Sequence, residues 1–146
     1  MSRFLWLLVA FSVAWPHSGQ AAQLVAAASG SCMNLPEHGG TAPDGTLVRL
    51  FHWHDTGDQT WTISKGQINS SFGSCLDAQG SAPSEGAQII IVTCNGRPSQ
   101  KWTFSNGQII GLGGKCLDVL GGSTADTTPL ILATCSSSAS QQWSVQ

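Results

Sequence analysis

A chain of 146 residues is enough for one domain around one modest core. Charged residues make up 10 %, well below the roughly 25 % of an ordinary soluble domain, and the net charge is −2 with no basic run or stripe. Phosphate neutralisation needs clustered Lys and Arg, so the composition argues against nucleic acid as a partner and against electrostatic binding to an anionic membrane.

The first residues read as a targeting segment. Arg3 precedes an apolar run over 4–14, Trp15-Pro16-His17 breaks it, and small residues follow at Gly19, Ala21 and Ala22. A basic start, a short apolar stretch and a small-residue cleavage site describe a secretory signal peptide, here 1–22, cut near Ala21 or Ala22. The run has 11 residues against the roughly 20 needed to span a bilayer, so no membrane attachment is expected after cleavage. The expected location is secreted, extracellular or periplasmic. Residues 23–30, rich in Ala, are expected to be a loose lead-in, with the folded domain at 31–146.

Beyond that point the chain repeats. Gln59-Thr60-Trp61, Gln100-Lys101-Trp102 and Gln141-Gln142-Trp143 follow one another at a constant spacing of 41 residues. Cys75-Leu76-Asp77 recurs as Cys116-Leu117-Asp118, and Cys94 as Cys135, at the same interval. A fixed period of this size marks a repeat architecture. The first repeat (31–68) opens with Cys32-Met33-Asn34, passes a Gly/Pro-rich loop, and continues as a strand over 46–53. A polar turn at 55–58, the Gln-x-Trp strand and a Lys65-Gly66 hairpin turn follow. The second repeat (74–109) has its middle strand at 88–94 and its hairpin turn at Asn106-Gly107. The third (115–146) has its middle strand at 129–135. No stretch shows helical periodicity. Units of four short strands cannot bury an apolar face alone, so the three must share one core. Each Gln-x-Trp tryptophan is assigned to that core.

Export implies an oxidising compartment. Cys75 and Cys94 are 19 residues apart, as are Cys116 and Cys135, so two equivalent disulfides are expected. Cys32 begins the same pattern, but Trp53 stands where its partner would be. Cys32 is read as a free thiol, with an intermolecular bridge as the alternative.

Three repeats of about 40 residues with Cys-Leu-Asp and Gln-x-Trp in register resemble the ricin B-type lectin domain, an all-β fold, the pseudo-threefold β-trefoil. The resemblance covers the whole chain after the signal peptide and implies a shallow sugar pocket per repeat. In that family an Asp two residues after the first Cys binds sugar hydroxyls. An aromatic two residues before the second Cys stacks on the sugar ring, and a polar residue after that Cys and the Gln-x-Trp glutamine complete the pocket. Carried over, this implies Asp77, Asn95 and Gln100 in the second repeat, with Val92 at the ring position and Ile90 before it. In the third it implies Asp118 and Gln141, with Ala133 at the ring position. In the first it implies Phe51 and Gln59, with Asn34 at the acid position and Arg49 where the family often has Gln. The chemistry suits a pyranose, whose hydroxyl edge needs carboxylate or amide partners and whose C–H face needs an apolar platform.

Strand alternation puts Ile90 and Val92 on an outer face, implying cover by the lead-in or by a protein partner. His38, His52, His54 and Asp55 are read as scattered rather than as a metal cluster, with His52 on the core-facing side of its strand. Asn69-Ser70-Ser71 fits a glycosylation acceptor. No pair of positioned carboxylates for glycoside hydrolysis, no cofactor motif and no metal site is read. The expected function is a secreted, non-catalytic carbohydrate-binding protein, with galactose- or xylose-type glycans as candidates. The competing expectation is a trefoil that has lost sugar binding and serves as a protein-interaction module or protease inhibitor.

Overall fold

The computed structural model describes residues 19–36, 40–80 and 82–146; most of the signal peptide and His38 lie outside them. Among the described residues there is no α-helix. In chain order the strands are β1 Ala21–Ala22, β2 Leu24–Ala26, β3 Cys32–Asn34, β4 Arg49–Phe51, β5 Trp61–Ser64, β6 Gln67–Ser70 and β7 Cys75–Ala78. They continue as β8 Ile89–Val92, β9 Thr103–Ser105, β10 Gln108–Ile110, β11 Cys116–Val119, β12 Leu130–Ala133 and β13 Trp143–Val145.

One four-stranded unit recurs three times, as β5-β6-β7-β8, β9-β10-β11-β12 and β13-β2-β3-β4. Each joins a Gln-x-Trp strand, its hairpin mate, a Cys strand and a middle strand. In the third unit the mate comes from the start of the chain. Residues 24–26, expected as a loose lead-in, are a buried strand in which Val25 opposes Ser144 and Leu24 opposes Val145. Leu24 is fully buried, as are Ile68 and Ile109 at the equivalent places in β6 and β10. Burying such a side chain contributes roughly 1.5–3 kcal/mol, ample reason for an Ala-rich stretch to order. The third repeat ends just after its Gln-x-Trp strand, and β2 closes the gap.

β1 is a further edge strand on β5, with Ala22 opposite Trp61. The expected cleavage point therefore falls in β1. The same edge in the other units is taken by hairpin turns: Trp102 N–H donates to Gly66 O and Trp143 N–H to Gly107 O, both at 2.8 Å. Those two turns carry positive φ at both central residues, 51° and 76° at Lys65-Gly66 and 49° and 80° at Asn106-Gly107. This twist matches the flanking strands.

The middle strands bond one another around the pseudo-threefold axis. Val48 N–H donates to Ile89 O (2.9 Å), Leu130 N–H to Val48 O (3.1 Å) and Leu132 N–H to Ala87 O (2.8 Å). Trp61, Trp102 and Trp143 are buried in the common core, as expected. Their indole N–H groups donate to the carbonyls of Met33 (3.0 Å), Leu76 (3.0 Å) and Leu117 (3.2 Å), satisfying the single polar atom of each ring. Each sequence repeat thus pins its tryptophan to the residue before its Asn or Asp, across two sheets.

Both expected disulfides are present, and Cys32 is free and buried. Ile90 is not an open apolar face. It is 7 % exposed and lies beside Leu47 across a bridge between repeats, so its cover is the first repeat's own strand, neither lead-in nor partner. The Asn69 side chain turns toward the Cys75 and Cys94 sulfurs (3.4 and 3.2 Å), and Ser70 is buried, which makes the folded segment a poor glycosylation acceptor.

Candidate functional site

Each Gln-x-Trp glutamine lies in a short 3₁₀ turn, Gly57–Gln59, Pro98–Gln100 and Ala139–Gln141, that swings its side chain back over the middle strand. The amide oxygen accepts the backbone N–H of His54 (2.9 Å), Asn95 (2.8 Å) or Ser136 (2.8 Å). The amide nitrogen donates to the carbonyl of His52 (2.8 Å), Thr93 (3.2 Å) or Thr134 (2.9 Å). In the second and third repeats it also donates to the carboxylate, Gln100 to Asp77 (2.9 Å) and Gln141 to Asp118 (3.0 Å). All three glutamines are buried. Both amide protons of Gln100 and Gln141 are committed to the protein.

What remains in the second repeat is Asp77, nearly buried, with Asn95 exposed beside it. The Asn95 side-chain oxygen accepts the Arg97 N–H at 3.0 Å, shaping the turn. In the third, Asp118 is more open, and its second oxygen accepts the Val119 N–H at 2.7 Å. Neither repeat has a ring: Val92 and Ala133 oppose Cys75 and Cys116 where Phe51 opposes Cys32.

The first repeat differs most from the sequence reading. Its acid position is Asn34, yet a carboxylate is present, supplied by Asp58 from the turn. Asn34 Nδ2 donates to Asp58 Oδ2 at 2.8 Å, and the Thr56 hydroxyl donates to the other oxygen. His54 Nε2 lies 3.6 Å from the same carboxylate. Arg49 Nε donates to Asn34 Oδ1 at 2.9 Å, and its guanidinium lies 5.0 Å from the centre of the Phe51 ring. His54 meets Phe51 edge-on at 5.5 Å. An amide, Asn34, stands at the acid position, the carboxylate comes from Asp58 beside Gln59, and Phe51, His54, Asn34 and Asp58 converge. Asp58 was missed because it lies 24 residues from Asn34 and only the turn brings them together.

A second set of acids escaped the sequence reading, although their spacing is the same 41: Asp44, Glu85 and Asp126. Each reaches from its own repeat to the next. Asp44 accepts the Thr93 N–H (2.8 Å), Glu85 the Thr134 N–H (2.6 Å) and Asp126 the His52 N–H (2.7 Å). His52 Nδ1 also meets Asp126 Oδ2 at 2.5 Å. His52 is thus exposed and clasped, not core-facing, because its strand ends at Phe51 and the alternation stops there. Bonds from Thr134 and then from Lys115 hold the Glu85 carboxyl down at about 2, and the bond from His52 lowers that of Asp126. These acids are fastenings between repeats. Among the described residues no group of three potential metal ligands forms.

A family model described as the ricin-type β-trefoil lectin domain matches residues 20–143. The chain belongs to this ricin-type lectin family. Solved structures agree on the fold. A designed threefold-symmetric protein, ThreeFoil, is 26 % identical with a TM-score of 0.77, over 86 % of this chain and 96 % of that one. The C-half of an earthworm R-type lectin in complex with GalNAc is 16 % identical with a TM-score of 0.74, over 87 % and 98 %. A ricin B-like lectin from Macrolepiota procera in complex with lactose is 21 % identical with a TM-score of 0.75, over 91 % and 99 %. No curated protein matches the sequence. The three-lobed, all-β lectin fold is therefore the trefoil that the resemblance implied.

Proposed function

We propose that this ricin-type lectin is a secreted, non-catalytic carbohydrate-binding protein that takes galactose-type sugars at the outer ends of its repeats. The observation that carries the reading is a carboxylate hydrogen-bonded to an amide in every repeat: Asp77 with Gln100 and Asp118 with Gln141 at equivalent places, and Asp58, from the turn, with Asn34 in the first. Such a pair is pre-oriented to accept from sugar hydroxyls without reorganising. The first repeat is the best equipped, since it alone adds a ring, Phe51, to the polar edge formed by Asp58 and His54, with the buried Asn34 holding Asp58 from behind. The second and third contribute Asp77 with Asn95, and Asp118, as weaker sites. Three shallow sites gain strength together on a branched glycan. Gln100 and Gln141 act as positioning residues that hold the carboxylates and the turn, and Gln59 holds the turn.

Two relatives of the same fold are complexed with GalNAc and lactose, which supports galactose-type ligands here. Secretion is supported by two disulfides, which persist in oxidising compartments. Removal of the signal peptide after Ala22 leaves Gln23, whose backbone exchanges two hydrogen bonds with Gln146, so the sheet β13-β2-β3-β4 survives the cut. A glycan array tests the reading. Terminal-galactose glycans should be retained, Phe51→Ala should weaken retention more than Asp77→Ala or Asp118→Ala, and silence across all glycans would refute it.

A further inference from the structure

We propose that the open depression beside Trp53 is a fourth saccharide subsite, separate from those proposed at the repeat ends. In the second repeat this region holds the disulfide, with Asn69 turned onto its sulfurs. In the first repeat Trp53 replaces the second cysteine and Val25, which opposes Cys32, replaces Asn69. No bridge forms, and a space of about 380 Å³ opens, lined by Gln23, Val25, Gly30, Cys32, Trp53 and Gln146. That volume lies at the lower end of the roughly 300–1,000 Å³ of ligand pockets.

The lining has the two components that a pyranose needs. Trp53 is 53 % exposed, whereas the other three described tryptophans are buried core. Its indole offers an apolar face for sugar C–H groups. The Gln23 side-chain amide forms no hydrogen bond among the described residues, and Gln146 uses only its Nε2, toward Ser144 Oγ at 3.1 Å. These amides supply both donors and acceptors for hydroxyls. Trp53 has no ring contact with Phe51, His52 or His54 among the described residues, while those three contact one another, so the depression is distinct from the first-repeat pocket. No charged side chain lines it.

The proposal rests on the lectin reading, and one set of titrations separates the two. Lactose, GalNAc and xylotriose are titrated into the purified protein and its variants while tryptophan emission and heat are followed. The subsite predicts a saturable emission change with at least one probe, arising from Trp53. Trp53→Ala abolishes it and weakens affinity about tenfold, Trp53→Phe restores most of the affinity, and Gln23→Ala weakens it severalfold. Phe51→Ala and Asp118→Ala leave the Trp53 signal in place. If probes bind equally to wild type and Trp53→Ala, the subsite is overturned and the lectin reading stands. If no probe produces heat or an emission change with wild type, both fall. If light scattering shows a wild-type dimer that Trp53→Ala converts to monomer, the exposed indole is a self-contact and the subsite is overturned.

Discussion

Replacing Trp53 by Cys should give the first repeat the disulfide it lacks. Cys32 opposes Phe51 in the same register in which Cys75 opposes Val92 and Cys116 opposes Ala133. Position 53 follows Phe51 by two residues, as Cys94 follows Val92. The two existing bridges have Cα atoms 5.0 Å apart, well inside the range that permits bonding, and the backbone of the first repeat follows the same path. The new bridge would close a loop of 21 residues, worth about 3 kcal/mol in the chain-entropy model. Trp53 is half-exposed, so its loss removes little packing. The net effect should be a rise in Tm of about 10 °C. Thermal unfolding by circular dichroism, with thiol titration under denaturing conditions, reads both quantities. The expected protein shows no free thiol where the wild type shows one. Two titratable thiols in an air-oxidised sample, or an unchanged Tm with the bridge formed, would refute the equivalence of the three repeats.

Other expectations follow from the same geometry. Leu24→Ala, in the strand that closes the third unit, should cost about 2–5 kcal/mol in urea unfolding, as much as Ile68→Ala or Ile109→Ala at the equivalent places; a cost below about 1 kcal/mol would mean β2 is dispensable. Glu85 has a folded pKa below its unfolded value, so its stabilisation is present above the ordinary carboxylate pKa of 4.5 and is lost as pH falls toward about 2. Glu85→Gln should accordingly flatten the acid side of the Tm–pH curve between those values, and an unchanged slope would show that the Thr134 fastening carries no linkage. Burial raises the Cys32 thiol above its usual range, so it should resist a thiol reagent in the native protein and react at once in denaturant. Gly111→Ala places a Cβ 2.5 Å from the Trp102 ring and should destabilise by about 1–3 kcal/mol in the same urea assay, whereas no change would mean the ring yields.

The repeat, the core tryptophans and the two disulfides were legible because each is a residue identity recurring at one interval. The role of 24–26 was not, since Leu24 matches Ile68 and Ile109 only when the chain's start meets its end in space. Nothing in an Ala-rich segment signals that its partner is Trp143–Val145. Asp58 was hidden for a related reason. The first repeat keeps its carboxylate but moves it to a turn residue, and its pairing with Asn34 becomes visible only through their hydrogen bond. The acids Asp44, Glu85 and Asp126 did share the 41-residue period. Their purpose was not readable, because their partners are backbone N–H groups of another repeat. The burial of Ile90 likewise depends on a strand from the neighbouring repeat, which alternation within one strand does not reveal.

Sugar recognition at the repeat ends is tested most directly by a crystal of the protein soaked in lactose. The account predicts a galactose ring in the first repeat, its C–H face over Phe51 and its hydroxyls within hydrogen-bond reach of Asp58 or His54. Lactose that leaves all three repeat ends empty at saturating concentration, in a protein also silent on the glycan array, would contradict it.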